Sequence, residues 1–175
     1  MLRLVLITKN NIDDAIVIQN KIFPEYNGKN NYLDSLKPKS KLKFYMIYDD
    51  DICVGITGIY SYNNDNENAW LGFFGIKEEY RYKGYGYKSL LLTEEYAKNL
   101  GFKYMRLFTD KEGNDYAIEF YKRNGYIFED YDCDLEKLKN EFNVVIGSKS
   151  LTNDKVTLWN NRFINLTKQT KKQMY

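Results

Sequence analysis

Residues Ala69 to Gly101 (AWLGFFGIKEEYRYKGYGYKSLLLTEEYAKNLG) constrain the fold more than any other stretch of the chain. Trp70 to Ile76 is a short apolar run interrupted by Gly72 and Gly75, the pattern of a buried strand. Lys77 to Arg81 is charged and suits a solvated turn. Arg81-Tyr82-Lys83-Gly84-Tyr85-Gly86 comes next. About four turns of helical pattern follow it, in which Leu90, Thr93, Ala97 and Leu100 share a face. Glu94 and Lys98 stand as a favourable i,i+4 pair. Gly101 supplies the left-handed residue that ends many helices.

Glycine at a helix start has a physical use. The first turn carries backbone N–H groups without partners, and the aligned peptide dipoles make that end positive. Without a Cβ in the way, an anion can approach both. Arg81 to Gly86 therefore reads as a pyrophosphate cradle. The alternative is a loop whose glycines only turn the chain, but the strand before and the amphipathic helix after are the setting a cradle requires. Two other nucleotide motifs are excluded. There is no P-loop consensus, and Ser89 stands where a GxGxxG fingerprint needs its third glycine. A dinucleotide fold would also place this turn in its first βα unit.

The 175 residues fit one domain with a sizeable core. A net charge of +2 provides no strong field for nucleic acid or a membrane surface. No apolar run is long enough to span a bilayer. The first residues, MLRLVLITKNN, suit a strand better than a signal peptide. Cys53 and Cys133 lie far apart without metal-ligand spacing and read as reduced thiols of a cytoplasmic protein. The chain has no histidine, which removes Ser-His-Asp and Cys-His catalysis and the commonest metal ligand. Proton transfer is left to carboxylate, tyrosine, lysine, cysteine or water.

Leu2 to Ile7 is expected as a strand, followed by a helix over Ile12 to Phe23 capped by Asn10 or Asn11 and stopped by Pro24. Tyr32 to Leu36 forms a second short helix. The two helices and their loop either cover a site as a lid or pack on a sheet edge. Lys43 to Tyr48 and Ile52 to Tyr62 form a hairpin about Asp49-Asp50-Asp51, and the Trp70 strand completes a meander. Phe102 to Thr109, reached through the long helix, is a parallel neighbour. A short helix over Tyr116 to Arg123 starts at Asn114 or Asp115. Strands Tyr126 to Asp132 and Phe142 to Gly147 flank a charged connection, Asp134 to Asn140. The fold class is α/β, a mixed central sheet of about seven strands flanked by helices. The domain covers residues 1–150. Residues 151–175 are more polar and basic; Trp159, Phe163 and Leu166 share a helical face. This extension docks on the domain, mediates self-association such as a homodimer, or is a plain packed tail.

This arrangement resembles the GNAT superfamily of acetyl-CoA-dependent N-acyltransferases. Arg81 to Gly86 fits that family's Gln/Arg-x-x-Gly-x-Gly/Ala signature, set between an apolar strand and a long helix. Asn114-Asp115-Tyr116-Ala117-Ile118-Glu119-Phe120-Tyr121-Lys122-Arg123-Asn124-Gly125-Tyr126 is similar to its Asn-x-x-Ala-x-x-Phe-Tyr-x-x-x-Gly-Phe segment. The resemblance implies that the backbone of Arg81, Tyr82, Lys83, Gly84, Tyr85, Gly86 and Tyr87 binds the pyrophosphate of coenzyme A. It implies that the main chain of Phe74, Gly75 and Ile76 pairs with the pantetheine arm like an added strand. Asn114 would hydrogen-bond that arm, and Tyr121 would sit by the thioester sulfur as general acid. The implied reaction is transfer of an acetyl group from acetyl-CoA, as co-substrate and without a metal, to a primary amine of a small molecule or peptide. Attack is direct, within a ternary complex. A non-catalytic acyl-CoA-binding regulatory module is the alternative.

A tyrosine, with its ordinary pKa near ~10, can protonate a thiolate whose conjugate acid lies near ~8.5. A main-chain N–H around Phe74 can polarise the carbonyl. Some family members carry a glutamate base at the start of the strand; here that register holds Trp70, so a water relay is expected instead. Glu67 is the nearest acidic residue, and Glu25, Tyr26 and Tyr32 are candidates on the substrate side. The acidic cluster Glu129, Asp130, Asp132 and Asp134 fits a cationic amine but fits a solvated surface better.

Overall fold

The computed structural model describes residues 1–62, 65–131, 144–159 and 166. Alternating apolar and polar residues carry the chain out of β1 (Leu2–Leu6) into α1 (Ile12–Ile22) and α2 (Lys29–Ser35). A meander of β2 (Lys43–Asp49), β3 (Ile52–Tyr60) and β4 (Asn68–Ile76) follows. After a 3-10 turn at Glu78–Tyr80 come α3 (Tyr85–Asn99), β5 (Tyr104–Asp110), α4 (Asp115–Arg123), β6 (Ile127–Asp130) and β7 (Val144–Ser150). The seven strands form one sheet in the order β1-β2-β3-β4-β5-β7-β6. Only β4 and β5 are parallel, as expected for strands joined through α3.

The sheet buries both faces. On one, α1 and α2 cover Phe44, Met46, Ile56, Tyr60 and Trp70. On the other, α3 and α4 cover Leu71, Met105 and Leu107, with Leu90 and Ala97 pointing down from α3. Leu100, the fourth member of the α3 stripe, is exposed. Asn11 sits at the N-cap of α1, but its carboxamide ties back to β1, accepting from the Thr8 N–H and donating to the Leu6 carbonyl. α2 begins before Tyr32, and β7 runs on past Gly147 to Ser150. Cys133, the Asp134 to Asn140 connection, Phe142 and Phe163 lie outside the described residues.

One expected pairing is replaced. Glu94 does not form the i,i+4 pair with Lys98 as its resolved partner. It is buried, and accepts hydrogen bonds from Lys149 Nζ (2.6 Å) and the Tyr126 hydroxyl (2.9 Å). A carboxylate facing the sheet needs a partner from the sheet. Of the acidic cluster, Asp130 pairs with Lys111 at the surface, and Glu129 accepts from the Trp159 N–H.

Residues 151–159 pack back against the sheet. Arg106, buried in β5, donates to Asn68 Oδ1, Ser148 Oγ and the Thr157 carbonyl (2.5, 2.8 and 2.7 Å). One guanidinium thereby joins β4, β7 and the segment beyond it. The Trp159 indole is buried edge-on against Trp70, with ring centroids 4.9 Å apart.

Candidate active site

The parallel ladder between β4 and β5 is short. It runs from Asn68↔Tyr104 to Trp70↔Arg106 and then stops. Beyond Trp70 the strands diverge, because β5 stays paired with β7 as far as Asp110 while β4 stays with β3 as far as Ile76. Residues 71–76 thus present a sheet edge without a ladder partner, the template on which an extended ligand can pair. Phe74, Gly75 and Ile76 lie on that edge. Gly75 has a second reason to be glycine, since a Cβ there would collide with Ile22 of α1.

A β-bulge sits in the divergent part. The β3–β4 register shifts between Ile56 and Gly58, and Phe73 has φ +44°. Strict alternation would put Trp70, Gly72 and Phe74 on one face. The bulge instead returns Phe73 to the Trp70 face, toward α1, and sends Phe74 with Leu71 toward α4. Phe74 there stacks at 6.4 Å on Phe120 and meets Tyr121 at the same distance.

The loop after β4 is stapled by its own side chains. Arg81 Nε donates to the Ile76 carbonyl (3.0 Å), and Lys83 Nζ to the Glu79 carbonyl (2.8 Å). These two cations therefore shape the loop. The Tyr85 hydroxyl donates to Asp49 (2.9 Å), which pins the start of α3 to the β2–β3 hairpin, and the bond to that carboxylate pushes the phenol's pKa up. Tyr82 and Gly84 both have positive φ, +60° and +81°. Such residues turn successive N–H groups toward one side, the geometry of an anion nest. Gly84 is the N-cap of α3 and no side chain caps the helix. The amides of Tyr85, Gly86 and Tyr87 consequently face outward at the positive end of a 15-residue helix. Two exposed rings border this end: Tyr82 and Tyr116 meet at 6.3 Å.

α4 supplies the opposite wall. Asn114 is its N-cap residue, yet its side chain makes no capping bond, so the carboxamide is available to a ligand. Tyr121 is seven residues on, about two helical turns, and so shares its face. Asn114, Ala117 and Tyr121 line one cleft of about 690 Å³ with Phe74, Leu107 and Thr109. Burial pushes the Tyr121 phenol above its ordinary pKa. The group keeps its proton through neutral pH and remains a donor.

The cleft continues toward α1 and α2, where Phe23, Tyr26, Asn31, Phe44, Tyr60 and Phe73 line it. Of the three substrate-side candidates, only Tyr26 reaches the cleft. Tyr32 is fully buried against Phe44, and Glu25 is absent from the lining. Trp70 is fully buried and brings no carboxylate, while Glu67 pairs at the surface with Lys103 (2.6 Å). Asp110, at the exposed end of β5, is the one carboxylate among the described lining residues. Sequence reasoning did not find Asn31, Phe44, Tyr60 or Leu166 in this wall. Each lies far in sequence from Asn114 and Tyr121, and none stands in a motif. Among the described residues, no cluster of three His, Cys, Asp or Glu could hold a metal ion. No helix there is long and apolar enough to cross a membrane.

A family model described as the acetyltransferase (GNAT) family matches residues 12–126. No curated protein sequence matches the chain significantly. Among solved structures, a putative GNAT acetyltransferase from Desulfovibrio desulfuricans superposes with a TM-score of 0.70 at 12% identity, covering 87% of this chain and 99% of that one. The PaiA N-acetyltransferase of Thermoplasma acidophilum, in complex with coenzyme A, gives 0.64 at 20% identity over 86% and 99%. A GNAT acetyltransferase from Elizabethkingia anophelis with acetyl-CoA bound gives 0.63 at 14% identity over 85% and 97%.

Proposed function

Because the chain belongs to the acetyltransferase (GNAT) family, we propose that it is an N-acetyltransferase that moves an acetyl group from acetyl-CoA to a primary amine by direct attack. The observation that carries this reading is the coincidence of three features in one fold. They are the uncapped start of α3, the unpaired edge of β4, and a cleft lined by Asn114 and Tyr121. The pyrophosphate would be held by amides from Tyr82 to Tyr87, since the Arg81 N–H already donates to the Glu78 carbonyl (3.1 Å), and the pantetheine arm by the main chain of Phe74 to Ile76 and by Asn114.

Acetyl-CoA supplies the activated acyl group; the chain supplies orientation and protons. The amine nitrogen adds to the thioester carbonyl, whose oxygen a main-chain N–H near Phe74 would stabilise. The C–S bond breaks, and the departing thiolate takes the proton of the Tyr121 hydroxyl. The amine's proton leaves through water, which also restores the proton of Tyr121, since no buried carboxylate stands among the described lining residues. Ordered groups on rigid elements also lower the entropic cost of bringing donor and acceptor together.

The fully buried Trp70 favours one rival, a module that binds acyl-CoA without turnover. Titration calorimetry with acetyl-CoA, followed by thiol release over a panel of amines, separates the two. Binding with amine-dependent thiol release supports the enzyme; binding with none on any amine supports the module.

A further inference from the structure

On the acetyltransferase reading, the donor arm would occupy the half of the cleft lined by Asn114 and Tyr121. In the other half the rings of Phe23, Tyr26, Phe44 and Phe73 form a continuous wall. Phe73 lies 5.9 Å from Phe23, 6.4 Å from Tyr26 and 5.9 Å from Phe44, centroid to centroid. We propose that the acceptor is a small monoamine carried on an aromatic or branched apolar body, which seats among these four rings. The proposal rests on the acetyltransferase reading above and names the chemistry of its second substrate.

Three observations support it. The first is the conformation of Phe73. A phenylalanine at φ +44° is a true backbone outlier, and such strain gathers where a side chain must be aimed. The bulge aims this ring into the wall rather than toward α4. The second is charge. Among the described lining residues there is a single acidic or basic side chain, Asp110, at the exposed end of β5. A polyamine or aminoglycoside would bring several ammonium groups into this apolar half, each needing a partner. A monoamine brings one, and that one must lose its proton to react. Ring faces also tolerate the cation before it does so. The third is size. The whole cleft, about 690 Å³, is within the range of small-ligand pockets and must also hold the donor arm. A compact body fits the remainder.

The test uses the intact protein in two measurements. In the first, phenethylamine, isoamylamine, spermidine and kanamycin are each titrated calorimetrically into protein saturated with coenzyme A. In the second, kcat/KM for each is read by thiol release from acetyl-CoA. Phenethylamine and isoamylamine are expected to exceed spermidine and kanamycin by about tenfold or more in both. Tyr26→Ala, at a half-exposed position, should raise KM for phenethylamine about fivefold or more with the affinity for coenzyme A unchanged, and Phe73→Ala should raise that KM by a similar factor. Equal or better performance by spermidine or kanamycin overturns the proposal and leaves the acetyltransferase reading intact. So does an unaltered preference in both variants, or faster acetylation of a Phe-initiated peptide than of phenethylamine. Phenethylamine binding with no thiol release from any of the amines overturns the transferase reading and upholds the pocket. Neither binding nor release overturns both.

Discussion

Gly84 and Gly86 stand two residues apart in one motif, and the structure gives them opposite responses to the same substitution. At Gly84 the backbone is left-handed, φ +81°, and nothing lies within 4 Å of an added Cβ. The cost of Gly84→Ala is therefore conformational alone. An L-residue there costs about 1–2 kcal/mol, and the stiffer unfolded chain returns about 0.4–1 kcal/mol, a net loss near 1 kcal/mol. Gly86 is inside the first turn of α3, and its added Cβ would meet only the Phe120 ring, at an ordinary 3.6 Å. Gly86→Ala should gain about 0.5–1 kcal/mol from helix preference. The two variants should then differ by about 1.5–2 kcal/mol, which for a chain of this size is roughly 5 °C in Tm. Urea denaturation of both, with m unchanged, checks the energies. Coenzyme A affinity should move independently. Gly84→Ala turns the outward amides and raises Kd about tenfold, whereas Gly86→Ala changes it by less than about threefold. Equal Tm values for the two variants, or wild-type affinity in Gly84→Ala, would refute the assignment of Gly84 as the conformational pivot of the cradle.

Tyr121→Phe keeps the ring contacts with Phe74, Phe120 and Tyr126. It should leave Tm unchanged and lower kcat roughly a hundredfold; full kcat would remove Tyr121 as the acid. Burial raises the Tyr121 pKa above its ordinary value near ~10, so the proton is retained as pH rises. A pH–rate profile should climb while the acceptor amine deprotonates and show no falling limb below about pH 10. A fall beginning near pH 8 would contradict the assignment. Tyr116→Ala should raise Kd for coenzyme A about tenfold and leave that of 4′-phosphopantetheine unchanged, if the exposed Tyr82–Tyr116 pair stacks the adenine. Equal effects on the two ligands would exclude stacking. Trp159→Ala removes a fully enclosed indole from Trp70 and should cost about 3–5 kcal/mol in urea; a loss below about 1 kcal/mol would mean that residues 151–159 do not hold the domain together.

The strand, loop and helix from Trp70 to Gly101 were legible because local rules govern them: an apolar run, glycines at a helix start and a helical stripe. Asn114 and Tyr121 were legible for a similar reason, their spacing on one helix. The bulge at Phe73 was not. Gly72 and Gly75 flank it visibly, but the extra residue is defined against β3, and no local pattern says which phenylalanine takes the positive φ. The same limit applies to Glu94, whose partner Lys149 lies 55 positions away. It applies to the acceptor wall as well, which draws on the α1–α2 loop, α2, β2, β3 and β4. It applies to Arg106 too, whose guanidinium is enclosed by groups from β4, β7 and Thr157.

The contact between Trp70 and Trp159 has a consequence for synthesis. Translation delivers β4 long before it delivers the indole that covers it, and β7, which fills the place beside β5, also comes late. While the ribosome adds the intervening residues, at about 5–20 residues per second, the nascent chain carries Trp70 and the open side of β5 uncovered for several seconds. The elements that form the donor site are all complete by Arg123. The emerging chain thus holds its most specialised surface before it can close its own core, and this interval is when a holding chaperone would find it.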